Sequence, residues 1–426
     1  MTRRPAPATA THEPFNMPIL HRTRTLSALM PRYVERFRCL GSDCEDTCCA
    51  SWSIHIDKKT YKAYRQNTAP ELSQLLAKNL VRVEGAPTNA FYATVRPEGE
   101  NKQCPLMQGG LCSIHKHFGE TYISDLCFTY PRVSRTFNGQ VEHALTLSCP
   151  EAARQALLAE DAFDFVEGSV TVREATVVDT RLRHGMSAEL TNDVRIFCLN
   201  LMRTRELALW QRLAILGTFC AALSRLCAES RIDAVPALVD DIARLVENGE
   251  LVASLASVKP DHAGQAMTFA VLWSAKGFES PSSFQKEVIR QISAGLGAND
   301  SGQTTGDELI GAYMRGLARL DEALQQAPHL FENYLLNEIF MRLFPFETNN
   351  VYDGYLRLVA RFGLLRLLLA AQCNADGLPS LPTLMATVHL HCRRFHHDNG
   401  YTAAVNEALR DSGWADLDKL TTLIRS

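Results

Sequence analysis

The sequence has no apolar run long enough to cross a bilayer. Its longest apolar patch, FGLLRLLLAAQC from Phe362 to Cys373, is interrupted by Arg366 and is too short for a span. It also lacks an excess of positive charge: the formal charge is −3 and the isoelectric point about 6.5. A nucleic-acid partner is therefore not expected, and any macromolecular partner should be a protein. A signal-peptide core is missing as well. Residues 1–29 carry Arg3, Arg4, Arg22 and Arg24 with Pro5, Pro7 and Pro14, and Arg3–Arg4 is followed by PAPATATHEPF rather than by a hydrophobic run. These residues read as a poorly ordered leader. The cytoplasm is the expected location, with peripheral membrane contact and homo-oligomerisation both left open. Repeats and heptads are absent too. The one glycine-rich stretch, SAGLGANDSGQTTGDE at 293–308, does not follow a buried strand, so Gly295 and Gly297 read as part of a mobile linker rather than a nucleotide-binding turn.

Cysteine is what the chain has in quantity. With 426 residues and 46% apolar content it can build ordinary cores and does not need staples. Yet Cys39, Cys44, Cys48 and Cys49 fall within FRCLGSDCEDTCCASW at 37–52, and Cys104, Cys112, Cys127 and Cys149 follow. In a chain without an export signal, such a cluster points to a metal or iron–sulfur site ahead of disulfides or unliganded thiols. If Glu45–Cys49 is helical, Cys44 and Cys48 share a face and suit one centre, while Cys49 lies about 100° further round. Zinc and a cubane cluster each take four ligands, so eight thiols exceed one site. His115 and His117, beside Cys112, could replace a thiolate, although no paired histidine spacing of the zinc-finger kind is present.

The expected fold is mainly α: a loop-rich cysteine domain with short strands, then an all-α domain. The cysteine-rich region is placed at 30–155, a connector at 156–189 and the helical domain at 190–426. Ser53, His55 and Asp57 alternate with Ile54 and Ile56 as in a short strand, AFYATVRPEG has strand composition, and residues 71–80 look helical. Gly109–Gly110 marks a turn bringing Cys104 and Cys112 together, Asn138–Gly139 a hairpin, and Cys149–Pro150 a helix start. Beyond residue 190, apolar residues at a 3.6-residue period predict helices over 232–256, 262–275, 281–294, 307–326, 328–343, 351–371, 380–395 and 401–424. Cys198, Cys220 and Cys227 sit in such segments and read as small buried hydrophobes.

The segments PRYVERFRCLGSDCEDTCCASWSIHIDKKTYKAY, CPLMQGGLCSIHKHFGETYISDLCFTYPR and LSCPEAAR resemble the signature of the flagellin lysine-N-methylase family, and the likeness continues in ENYLLNEIFMRLFPFE. A more distant similarity is to small cysteine-rich zinc- or iron-chelating proteins, whose pattern is matched at Cys44, Cys48, Cys49, Cys104, Cys112 and Cys127. The family resemblance implies methyl transfer from S-adenosylmethionine to lysine ε-amines of flagellin, with a [4Fe–4S] cluster on the cysteines and zinc as the alternative metal. The residues themselves show neither the CxxxCxxC triplet of radical S-adenosylmethionine enzymes nor a glycine-rich strand-to-helix turn, so radical and polar routes both stay open. The other functional class is a non-catalytic zinc- or iron-chelating module that binds a protein.

A polar route needs an acceptor for the lysine proton. Tyr130, Asp125 and Glu45 are the candidate catalytic residues because they flank the thiols, with Asp46 and Glu151 beside them. Arg132 is the candidate for binding the donor's carboxylate, or else caps a helix. Each is also an ordinary surface or capping residue type. HLHCRRFHHDNGY gathers His389, His391, Cys392, His396 and His397, which read as a solvated helix end or, more sharply, a second metal site. The stretch LFPFETNNVYDGY at 343–355 is the candidate pocket segment, with Phe344 and Phe346 read as core.

Overall fold

The computed structural model describes residues 19–425, apart from 51, 67–69, 100–102, 277–281 and 375–376. The first half is a chain of short elements. They are β1 (Arg24–Pro31), α1 (Tyr33–Arg36), β2 (Ile54–Ile56), α2 (Lys58–Arg65), α3 (Pro70–Asn79), β3 (Leu80–Arg82), β4 (Ala93–Val95), β5 (Met107–Gln108) and β6 (Leu111–Cys112). Next come α4 (Ser113–Phe118), α5 (Asp125–Thr129), β7 (Arg132–Phe137), β8 (Gln140–Leu145), α6 (Pro150–Leu157), β9 (Phe165–Val172) and β10 (Val178–Asp179). The Asn138–Gly139 turn joins β7 to β8 as the sequence predicts. Gly109 and Gly110 both take positive φ, which lets the two-residue turn between β5 and β6 close and sets Cys112 opposite Met107.

Two departures from expectation concern the ends of this region. The leader placed at 1–29 contains Arg24, where β1 begins, and β1 is an interior strand of a five-stranded sheet ordered β10-β7-β8-β1-β9. It runs parallel to β8 and antiparallel to β9 over eight residue pairs. The connector placed at 156–189 supplies β9 and β10. The β1 pairings join stretches more than a hundred residues apart, and β10 pairs with β7 across some forty, so no local pattern announces them. Residues 1–18 lie outside the described residues.

The second half is helical: α7 (Ala188–Arg203), α8 (Leu209–Ala228), α9 (Val235–Glu247), α10 (Glu250–Ser254), α11 (His262–Ser274), α12 (Ser283–Gly295) and α13 (Gly306–Leu324). It continues with α14 (Leu330–Arg342), α15 (Val351–Gln372), α16 (Leu381–Phe395), α17 (Asn399–Asp411) and α18 (Leu417–Ile424). The expected helices at 232–256 and 401–424 are each split in two. α15 is the axis of this half, buried along most of its length. Its Arg366, the residue that interrupts the apolar patch, donates to the carbonyls of Ile424 and Leu423 at 2.7 and 2.6 Å, satisfying the C-terminal end of α18. No described helix is long and apolar enough to cross a membrane.

Two cores result. A small one holds Ile54, Ile56, Tyr64, Leu72, Cys104 and Ile114. The large one unites Tyr33, Phe37, Leu145 and Leu147 with the helices, so the boundary placed at 155 runs through a shared interior. Buried Glu142 on β8 meets Arg195 on α7 in a two-pronged ion pair, both contacts 2.8 Å, tying sheet to helices.

Candidate functional site: a thiol centre between two clefts

Residues 44–50 form an irregular loop, not the helix on which pairing Cys44 with Cys48 depended. Released from helical spacing, the thiols part company. Cys49, Cys104, Cys112 and Cys127 line one cavity of about 30 Å³, walled by Ile54, Ile56, Tyr64 and Ile114. The Cys104 N–H donates to the Cys49 carbonyl at 2.7 Å, which docks the two segments. Cys48 stands next to this group: its S–H donates to the Cys49 sulfur, and that bond, with help from Thr47 and the Arg393 charge, holds Cys49 at about 7. Burial pushes Cys104 up to about 12 and raises Cys112. Cys39, Cys44 and Cys149 make a separate trio, in which burial first, and Cys149 further, push Cys44 up to about 11. The expectation that Cys44 and Cys48 serve one centre is thus corrected by the loop's backbone. His115 and His117 point outward from α4 and do not line the cavity.

Four thiols from four separate stretches form the donor set that a cubane or a zinc ion takes. Among the described residues, however, no three of these sulfurs lie within 4.8 Å of one another. Thiolates about 2.3 Å from one tetrahedral zinc would stand roughly 3.8 Å apart. The thiols are thus more widely spaced than the ligands of a single zinc ion, while four thiolates are the number that a cubane takes. The short-range group that does occur, His21 with Asp57 and Asp125, is already engaged by Thr60 and Arg173.

The loop owes its shape to the helical half. Asp46 is 2% exposed and accepts from Ser282 at 2.9 Å, Gln285 at 2.7 Å and His389 Nε2 at 2.7 Å, with Arg393 at 3.6 Å. Burial alone would raise its carboxyl, but these partners overcome that and hold it at about 2. Arg393 also donates to the carbonyls of Thr47 and Ala50 at 3.1 and 2.8 Å, so α16 grips the backbone on both sides of Cys48–Cys49. The histidine-rich stretch is therefore no solvated helix end. His389 and His391 are fully buried, and His396 is 4% exposed, sharing the Tyr334 hydroxyl with His391 at 3.1 Å each.

Trp52, three residues past Cys49, separates two clefts. Its ring meets Tyr130 edge-on at 4.9 Å and lies under Arg393 at 5.6 Å. One cleft, about 470 Å³, is lined by Thr129, Tyr130, Arg132, Arg135, Glu347 and Arg357 among others. The second, about 730 Å³, is lined by Leu272, Lys276, Arg393, Asp398, Tyr401 and Val405 among others. Both volumes suit small-molecule or side-chain ligands.

Of the candidate catalytic residues, Tyr130 reaches the smaller cleft, and burial raises its hydroxyl well above the usual range. Arg132 lines the same cleft, stacking over Phe37. Asp125 lines neither cleft and is paired with Arg173 at 2.8 Å. Glu45 is paired with Arg154 at 2.5 Å, also away from the clefts. Glu151 meets Arg154 at 2.9 Å. The pocket segment 343–355 contributes Glu347, while Phe344 and Phe346 are buried in the core as expected. Sequence reasoning passed over Asp46 as a structural anchor and over Trp52 as a cleft wall, and it read His397 only as part of the histidine cluster. The tryptophan three residues after the vicinal thiols was the available signal.

The site defines a mainly helical protein with a cysteine centre flanked by two clefts. Residues 195–423 match the family model described as the FliB lysine N-methylase C-terminal domain, and the chain belongs to that family. It is similar to the lysine-N-methylase of Salmonella typhimurium (strain LT2), 25% identical over 371 residues that span 83% of this chain and 88% of the relative. The lysine-N-methylase of Salmonella choleraesuis (strain SC-B67) is 24% identical over the same shares. The flagellar biosynthetic protein FliU of Salmonella muenchen is 28% identical over 140 residues, 33% of this chain and 82% of that one. No solved structure matches the chain.

Proposed function

We propose that this protein is a protein-lysine N-methyltransferase that moves a methyl group from S-adenosylmethionine to lysine ε-amines of flagellin. Family membership supports lysine methylation, and the flagellar name of the third relative supports the substrate. The observation that carries the reading is structural: α5 presents Cys127 to the thiol cavity and, two and three residues on, Thr129 and Tyr130 to the smaller cleft.

Cys49, Cys104, Cys112 and Cys127 would hold a [4Fe–4S] cluster, which supplies redox or Lewis-acid chemistry when bound. The smaller cleft takes the donor. Among the described residues it carries four arginines, Arg132, Arg135, Arg342 and Arg357, against one carboxylate, Glu347. Two of its polar atoms, Arg357 Nε and Thr129 Oγ1, are buried without a hydrogen-bond partner, and no carboxylate stands within ion-pair distance of Arg132 among the described residues. A carboxylate end of a ligand satisfies all three. Tyr130, held protonated by burial, acts as a hydrogen-bond donor rather than a base. It is linked through Ser148 to His397 by contacts of 3.1 and 2.8 Å. Desolvation and the nearby guanidinium groups favour a neutral lysine amine, the form that attacks a methyl group.

The test is transfer of labelled methyl to flagellin by protein isolated without air. Wild type is expected to label flagellin, and Cys49→Ala and Cys127→Ala to lose the activity together with iron. Fully metal-loaded protein that never labels flagellin would leave the chelating, protein-binding module as the function.

A further inference from the structure

The larger cleft already contains a lysine. Lys276, at the end of α11, places its ammonium 2.7 Å from Asp398 Oδ2 and 5.7 Å from the centre of the Tyr401 ring. All three side chains line the cleft. A carboxylate and an aromatic face are the two groups that recognise an alkylammonium, one by charge and one by the ring quadrupole. Leu272 and Val405 supply apolar wall for the methylene stem.

Among the described residues Asp398 is the acidic side chain of this cleft, and its other duty is local. It accepts from the Tyr401 N–H as the N-cap of α17. The Tyr401 hydroxyl donates to the Leu272 carbonyl at 2.7 Å, which fixes the ring. The cationic neighbours do not compete for Asp398. Arg393 is engaged with Asp46 and the loop carbonyls, and Arg394 lies over the rings of Trp273 and Phe395 at 5.0 and 5.3 Å. Recognition by Asp398 and Tyr401 therefore serves one ammonium at a time.

We propose that Asp398 and Tyr401 form a lysine-recognition site, and that Lys276 occupies it as an internal stand-in which an incoming lysine side chain must displace. The lysine-methylation reading supplies the identity of the external ligand. Trp52 lines this cleft and the donor cleft alike, so a lysine seated as its ammonium at Asp398 is one ring away from the donor cleft, and it loses its proton only after leaving Asp398 for that cleft.

The probe is a doubly capped lysine, N-acetyl-lysine methylamide, titrated calorimetrically into the full chain. An occupied site lowers apparent affinity by the fraction of time it is free. Lys276→Met should therefore bind the probe about tenfold more tightly than wild type, a factor typical of one partly exposed ion pair plus a cation–π contact. Adding Asp398→Asn, which keeps the N-cap, should remove that gain, and capped norleucine should not bind. Equal affinities in wild type and Lys276→Met, or no loss with Asp398→Asn, would overturn the inference.

Flagellin methylation provides a second readout. Lys276→Met should lower KM for flagellin with kcat held, and Asp398→Asn should raise it. Unchanged KM values in an active enzyme sink the lysine site and leave the methylase reading standing. A binding gain in a protein that never methylates does the reverse.

Discussion

Asp46 shows how much one side chain can organise. It sits between Glu45 and Thr47 in a loop of small and acidic residues, where a solvated carboxylate is the ordinary reading. Instead it is buried among Ser282, Gln285, His389 and Arg393. Asp46→Ala leaves these four partners without their acceptor, and breaking a buried ion pair costs about 3–5 kcal/mol. The denaturation midpoint should fall accordingly, and the protein should retain less metal, because the loop bearing Cys48 and Cys49 loses its grip on α16. A variant as stable and as metal-rich as wild type would show that Arg393 alone holds the loop.

Among the elements, the helices of the second half follow from the sequence almost directly, since a 3.6-residue apolar period has one solution. What period cannot show is how closely two helices approach. Gly316 on α13 and Gly295 on α12 pack against α15, where an added Cβ would stand 2.0 Å from the carbonyl oxygens of Ala370 and Ala371 respectively. Gly295, read from sequence as linker, is thus a packing residue. Gly316→Ala must push two helix backbones apart, a cost of about 1–3 kcal/mol or more, measured as a lower urea midpoint. An unshifted midpoint would mean the helices separate freely.

Short strands with clear alternation or a tight turn were legible as well: the strand at Ile54–Ile56 and the turns at Gly109–Gly110 and Asn138–Gly139 all appear where expected. β1 and β9 were not, because their partners lie far along the chain. The site divided in the same way. Eight thiols announced a centre, but their sorting into Cys49, Cys104, Cys112 and Cys127 with Cys48 beside them, and Cys39, Cys44 and Cys149 apart, depends on loop backbone that composition does not encode. The burial of the histidine cluster is not legible because it follows from partners distant in sequence: Asp46 for His389, Tyr334 for His391 and His396, and Glu338, 3.2 Å from His396.

Across the whole molecule, buried histidines set the response to acid. Burial holds His143 at about 4 and His396 at about 3, against an ordinary value near 6.5. Below that ordinary value the unfolded chain takes up protons that the folded chain refuses. Stability should therefore be full above about pH 6.5 and fall as pH drops from there towards 4, by up to about 1.4 kcal/mol per unit for each such histidine. Asp46 adds a further loss lower down, as pH falls through its folded value of about 2. Thermal melts from pH 8 to 4 check the first window, and a flat melting temperature between 6.5 and 4.5 would contradict it.

The same long-range sheet limits how the protein can be divided. β1 sits between β8 and β9, bonded to both. A chain cut after Pro31 would lose only a short N-terminal stretch, yet it would expose two interior strand edges at once. Such edges template pairing with other chains. Proteolysis at that point is expected to yield aggregation rather than a trimmed enzyme, and a free peptide of residues 24–31 is the one addition suited to reversing it.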